Sequence, residues 1–192
     1  MLQLKRSILV FAGLSIICGL IYPLVITAVS QAIFPLQSNA SIIKQGDVII
    51  GSQLIGQLFT SPRYFHGRPS ATDPPYDASN SSGSNLAPSS AKLLEQVKVR
   101  LEQIRKENGL PSNLPVPADL VLASASGLDP HLSVEAALLQ VPRISRGRKT
   151  PESVIEKIVG QNTENPFLGI WGMKRVNVLQ LNIALDSIKV QR

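Results

Sequence analysis

The chain has 192 residues and a formal net charge of +6, which gives room for one membrane segment and one domain of ordinary size. Aromatic residues make up only 5% while 14 prolines and 13 glycines are present, so the domain is expected to be rich in turns. The basic balance is not arranged as a nucleic-acid surface, because there is no basic stripe interleaved with aromatics and no zinc-finger spacing. No nucleic-acid partner is expected. The single cysteine, Cys18, lies in an apolar stretch, which rules out an intrachain disulfide.

From Ser7 to Ile43 the sequence carries no charge, and Ile8 to Val29 is almost wholly apolar. As a helix, about 22 residues reach roughly 33 Å, enough for a hydrocarbon core of about 30 Å. Lys5 and Arg6 stand just before this run, and Lys44 and Asp47 follow only distantly. That asymmetry predicts a cytoplasmic N-terminus and an outer C-terminal domain. A cleaved signal peptide is the rival, with Ala28-Val29-Ser30 as a possible cleavage region. Its apolar part is usually about 7–15 residues, shorter than this one. The expected organisation is therefore a cytoplasmic N-terminus over 1–7, an uncleaved transmembrane helix over 8–30, a connector over 31–47 and an extracytoplasmic α+β domain over 48–192. Bulky Ile17 argues against lipid attachment at Cys18. Ser15, Gly19, Pro23, Thr27 and Gln31 recur every four residues and form an inclined row of small and polar groups. Such rows favour close helix approach in lipid, so Gly19, Pro23, Thr27 and Gln31 are candidate contacts for a partner helix.

Past Phe34-Pro35, residues 36–47 read as a polar connector. Val48-Ile49-Ile50 and Gln53 to Phe59 read as short strands with bends at Gly51 and Gly56. Ser61 to Ser89 is irregular yet carries Tyr64, Phe65 and Tyr76, which predicts an ordered loop. Ala91 to Asn108 is the clearest helix, capped by Ser90, with Leu94, Val97, Leu101 and Ile104 on one face, a Glu102–Lys106 pair, and a stop at Gly109. Asp119 to Ala125 is expected to be extended. Ser133 caps a helix with Val134, Ala137, Leu138 and Val141 inward, which Pro142 breaks or kinks. Thr150 caps another, with Pro151 in its first position and Gly160 after its end. Arg175 to Asp186 begins as a strand and continues as a helix with Leu181 and Leu185 on one face.

The chemical motifs are weak. Gly51 and Gly56 have P-loop spacing, but Gln57-Leu58 replaces the required Lys and hydroxyl, so nucleotide binding there fails. Ser124, Ser126, Asp129 and His131 are the residue types of a hydrolase triad. They lie in one short run, whereas triad members converge from separate segments, and the Gly-x-Ser-x-Gly elbow is missing. A turn through Gly127 and Asp129-Pro130 accounts for the run. His66 and His131, the two histidines, form no paired ligand motif, so no metal is expected. Arg143, Arg146, Arg148 and Lys149 read as a solvated basic face, with anionic lipid or an acidic partner as the other option. Gln140, beside Pro142, is a speculative ligand contact.

Taken in order, several strings resemble one family: Tyr22-Pro23-Leu24 with Thr27, Gln31 and Phe34-Pro35; Gly51-Ser52 through Gln57; Tyr64-Phe65; Arg68-Pro69-Ser70-Ala71-Thr72; Ser82-Gly83-Ser84-Asn85-Leu86. Asp119-Leu120-Val121, Ser126 through His131, Gln140-Val141-Pro142-Arg143 and Arg175 through Asp186 continue the series. Together they resemble the C subunit of the bacterial Kdp potassium-transporting ATPase, over about residues 10 to 187. Asp77, Ala87 and Trp171 depart from that pattern. The resemblance implies a non-catalytic subunit in the bacterial inner membrane, beside a channel-like potassium-binding subunit, a P-type ATP-hydrolysing subunit and a small membrane subunit. It implies a role in assembly and in raising the ATP affinity of the hydrolysing subunit, indirectly if the domain is outside. ATP and potassium then act at the complex, and no cofactor is assigned to this chain. Tyr64, Phe65 and Arg68 are candidate partner contacts in the outer loop. A membrane-anchored extracytoplasmic serine hydrolase using Ser126 or Ser124 with His131 is the alternative.

Overall fold

The apolar stretch forms one 32-residue helix, Leu2–Ile33, in the structure, a computed structural model that describes residues 1–188. It runs as α1 (Leu2–Ile16), a π-helical turn (Ile17–Ile21) and α2 (Tyr22–Ile33). Pro23 explains the wide turn. Its ring lacks an N–H and crowds the carbonyl one turn earlier, at Gly19, and a π turn relieves such crowding. The apolar window has no buried residue within the chain, so by length and composition this helix can cross a membrane.

Phe34, at φ −128°, ends α2, and Pro35 opens the short α3 (Pro35–Ser38). The side-chain amides of Gln31 and Asn39 hydrogen-bond each other at 3.1 and 3.4 Å across this corner. β1 (Ile42–Gln45) and β2 (Val48–Ser52) then pair around Gly46, whose φ of +62° suits glycine. The expected connector therefore contains a helical turn and a strand. The chain divides into two compact units at Ile50 and Gly51.

In the second unit the strand expected over Gln53–Phe59 is absent, and residues 53–60 are irregular. The Gly56 amide donates to Leu128 O at 2.8 Å, and a Cβ at Gly56 would meet Tyr76 and the carbonyl of Asp129. Such a close approach commits this stretch to a loop rather than a ladder. The sheet is small and antiparallel. β5 (Arg175–Asn177) lies between β3 (His131–Ser133) and β4 (Thr163–Glu164), with Val176 opposite both Leu132 and Thr163.

Helices supply most of the core. α4 (Ala91–Asn108) starts at Ser90, whose Oγ accepts the Leu93 amide, and stops at Gly109 with φ +67°. Leu94, expected inward, is 62% exposed, and the i,i+4 bond on this helix joins Gln103 to Glu107 rather than Glu102 to Lys106. α5 (Ala118–Val121) is one helical turn where an extended run was expected. Its first-turn Asp119 reaches across to accept the Ser133 amide. α6 (Val134–Arg148), capped by Ser133, passes through Pro142 without breaking. Its inward residues are Ala136, Ala137, Gln140, Val141, Arg143 and Ile144, while Leu138 is exposed. α7 (Glu152–Gln161) begins one residue later than expected. Pro151 occupies the cap position without a side-chain bond, Thr150 Oγ1 instead donates to Arg148 O, and Gly160 lies inside the last turn. α8 (Val178–Asp186) is capped by Asn177, and Leu181 and Leu185 are fully buried as expected. α6 packs on α4 and α7, and α7 on α8. Phe65, from the irregular loop, sits among Val141, Ile144, Ile155, Val159 and Leu181 in the resulting core.

Phe65 is 0% exposed. Phe65→Ala is expected to cost about 3–5 kcal/mol, measured as a lowered denaturant midpoint of the full chain in detergent.

Candidate functional site

Residues 62–66 leave a turn, in which Tyr64 N donates to Ser61 O at 3.1 Å, and run on outside any helix or strand, so their remaining polar backbone groups need other partners. Side chains from α6 and α8 supply them. Arg143 Nη1 donates to the carbonyls of Pro62 and Tyr64 at 2.8 and 3.0 Å. Arg148 Nε donates to Arg63 O at 2.7 Å. The Asn182 amide both accepts from Phe65 N and donates to Phe65 O, at 2.8 and 3.0 Å. The Gln140 amide does the same for His66, at 2.9 and 3.1 Å. Arg143 also donates to Gln140 Oε1 and Asn108 Oδ1, which binds the clamp into one network. Gln140 and Arg143 are 2% and 5% exposed. The amide proposed as a ligand contact is thus engaged by protein groups at both ends. The basic cluster is not a uniform solvated face either: Arg143 and Arg148 hold backbone carbonyls, while Arg146 and Lys149 are exposed.

Above this clamp lies a cavity of about 470 Å³ whose walls include Phe59, His66, Arg68, Tyr76, Arg100 and Glu107. Burial and the positive charge of Arg143 lower the His66 pKa, outweighing the opposing pull of Ser61 O and of Glu107, 3.5 Å away. Burial lowers the Arg143 pKa to about 10. Burial, with the nearby Asp129 charge, raises Tyr76 to about 12, and its hydroxyl donates to Arg68 O.

A second cavity, about 940 Å³, shares Arg68 and is bordered by Asp129 and His131. A series of polar contacts starts at its edge. Arg68 Nη1 meets Asp129 Oδ2 at 2.9 Å, Asp129 Oδ1 meets His131 Nδ1 at 3.3 Å, His131 Nε2 faces Glu164 at 3.8 Å, and Glu164 meets Arg175 at 2.9 Å. Burial works against the Asp129 carboxylate, but hydrogen bonds from His131 and the Arg68 guanidinium prevail and hold its pKa at about 2.

This arrangement does not assemble a serine triad. Both ring nitrogens of His131 face carboxylates. The Ser126 hydroxyl accepts the Leu128 amide at 3.2 Å within a turn, and Ser124 is 5% exposed. Gly127, at φ +70°, fits this turn against Ser82 and Thr72 so closely that a Cβ would meet both at 2.7 Å.

Among the outer-loop candidates, Phe65 is a core residue and offers a partner no surface, a correction to its expected role. Tyr64 is partly exposed. Its ring lies 5.7 Å from Phe59 and under the Arg148 guanidinium at 4.8 Å, and its hydroxyl donates to Asp186. Arg68 is partly exposed beside Asp129. In the anchor, a Cβ added at Gly19 meets no atom within 4 Å. Thr27 and Pro23 are exposed along α2, and the Gln31 amide is paired with Asn39. The wider π turn rotates less per residue than an α-helix, so the row from Ser15 to Gln31 drifts less around the helix than regular geometry implies. Sequence reasoning missed Asn182. A polar residue within the apolar run Leu179 to Leu185 was the available signal, because a buried amide requires partners.

These features define a class: a single apolar helix able to span a membrane, followed by an α+β domain whose irregular loop is clamped by buried polar side chains. Comparison narrows it. The KdpC family, described as "K+-transporting ATPase, c chain", matches residues 4–187. A Potassium-transporting ATPase KdpC subunit from Ralstonia nicotianae is 46% identical, covering 97% of this chain and 91% of its own length. Proteins of the same name from Rhodopseudomonas palustris and Dechloromonas aromatica are 47% and 48% identical, each match covering 96% of this chain and 96% and 97% of the relative. The chain belongs to the KdpC family.

The Asp129 pKa of about 2 compares with about 3.9 for an unfolded aspartate. The folded chain thus binds this proton more weakly, so the stabilisation is present above about pH 4 and is lost as pH falls toward 2. Asp129→Asn is expected to lower the unfolding midpoint at neutral pH and to flatten its decline across that window. An unchanged acid limb would show that the carboxylate contributes nothing.

Proposed function

We propose that this chain is a non-catalytic accessory subunit of an ATP-driven, high-affinity potassium import complex of the bacterial inner membrane. It assists assembly and raises the ATP affinity of the P-type hydrolysing subunit. Its other partners are a channel-like potassium-binding subunit and a small membrane subunit. The observation that carries this reading is near-full-length similarity to proteins named as potassium-transporting ATPase subunits. The site geometry supports it, because the histidine of the alternative hydrolase is turned toward carboxylates and the serine hydroxyl is held in a turn.

Lys5 and Arg6 before the apolar helix favour a cytoplasmic N-terminus and an outer domain. ATP is cytoplasmic, so this chain acts on ATP affinity through its anchor and its partner subunits. The docking surface in the membrane is the row Gly19, Pro23, Thr27 and Gln31, and the partly exposed Tyr64 and Arg68 add an outer contact. Gly19 has open space around it, so a larger side chain there leaves the chain's own fold untouched and obstructs only a neighbouring helix.

Purification of the pump through its hydrolysing subunit in mild detergent tests this reading. This chain should co-purify, and pump prepared without it should need more ATP for half-maximal potassium-stimulated hydrolysis. An unchanged ATP requirement refutes the role. Gly19→Leu should reduce co-purification more than Thr27→Val, since single interhelical hydrogen bonds contribute only about 0.6 kcal/mol on average. If a poly-Leu anchor supports full retention and activity, the helix is only a tether. A reporter active only in the cytoplasm, fused after Arg192, should be silent.

A further inference from the structure

Between β4 and β5 the chain exposes Phe167, Leu168, Ile170, Trp171 and Met173, at 71, 71, 75, 63 and 78%. Isolated exposed apolar residues need no account, but five large ones within seven positions do. They belong to an ordered hairpin. Phe167 N donates to Trp171 O at 2.9 Å, Trp171 N donates to Phe167 O at 3.0 Å, and the two rings stack with centroids 6.3 Å apart. Leu168 adopts φ +52°, a left-handed conformation that is costly for a non-glycine residue. No burial of its side chain offsets that cost.

We propose that this hairpin seats in the boundary between head groups and acyl chains of the bilayer that holds the anchor. The charge pattern favours lipid: residues 165–175 contain no carboxylate, and Lys174 is exposed directly after the apolar tip. Trp and Phe beside a basic residue are the composition of a membrane–water interface. Phe167, Leu168, Ile170 and Trp171 stand out at these exposures as a protruding tip that can enter lipid, while Gly172 and Met173 at its base border the second cavity. The anchor helix and residues 34–50 tether the domain to the same membrane. The proposal rests on membrane anchoring and not on the role in a pump.

Trp171 is the single tryptophan of the chain, so fluorescence excited at the red edge, where the tyrosines do not absorb, reports on this hairpin alone. The full chain is reconstituted into vesicles of phosphatidylethanolamine and phosphatidylglycerol, with and without bromine placed high on the acyl chains. Vesicle flotation first establishes anchoring, and a chain that does not float overturns the premise. For a floating chain, emission should move to shorter wavelength than in detergent-free water-exposed controls, brominated lipid should remove most of it, and aqueous iodide should have little effect. Ile170→Ser combined with Met173→Ser should restore iodide quenching and weaken bromine quenching while the unfolding midpoint is kept. A floating chain whose Trp171 is open to iodide and insensitive to brominated lipid overturns the proposal. So does protection that appears only when the pump subunits are added, which would assign the hairpin to a protein surface.

Discussion

Five consecutive backbone carbonyls, from Pro62 to His66, are satisfied by four side chains from two helices, and much of the second unit is arranged around that requirement. Leaving one buried donor or acceptor unpaired costs about 1–3 kcal/mol, so this segment without such partners would be prohibitive. The solution fixes which face of α6 turns inward. Gln140 and Arg143 lie on the same inner face as Ala136, Ala137, Val141 and Ile144, so a polar clamp and an apolar seam share one helix. Phe65 sits in the core with its own backbone groups held by the Asn182 amide, those of His66 by the Gln140 amide and the Tyr64 carbonyl by the Arg143 guanidinium.

The charges at the second cavity follow a similar economy. Arg68, Asp129, His131, Glu164 and Arg175 follow one another in contact, with Asp129 from the turn before β3 and His131, Glu164 and Arg175 on the three strands. The ion pairs therefore join the irregular loop to the sheet. In the anchor, the end of α2 is closed by an amide pair within the chain, Gln31 with Asn39, while Gly19, Pro23 and Thr27 are exposed.

Where a local signal sufficed, the sequence was readable. The apolar run, the Ser90 and Ser133 caps, the Gly109 stop and the strand-to-helix change within Arg175–Asp186 depend on neighbouring residues only, and each occurs as expected. Long-range demands defeated the reading elsewhere. Gln53–Phe59 has strand composition, but its backbone answers to Leu128 and Asn177, more than 70 residues away in sequence. Pro142 should have broken a helix in isolation, and tertiary packing on α4 and α7 carries the helix through. The basic cluster after Gln140 looked solvated because sequence alone does not show that Arg143 faces a run of carbonyls. A proline at position 23 frees a carbonyl one turn earlier, but whether a kink or a π turn accommodates it is not a local signal.

The clamp also has a timetable. Ribosomes deliver the chain N-terminus first, yet the partners of residues 62–66 arrive late: Gln140 is 74 residues downstream of His66 and Asn182 is 117 residues downstream of Phe65. Until α8 has been synthesised, Phe65 and its neighbouring backbone groups lack these partners, and the segment waits as an open, sticky stretch. Contacts this distant slow folding and lengthen exposure to aggregation. A chain built this way benefits from being fixed to a membrane from its first residues, where copies are diluted in two dimensions and cannot tumble into one another while the last helix is still being made.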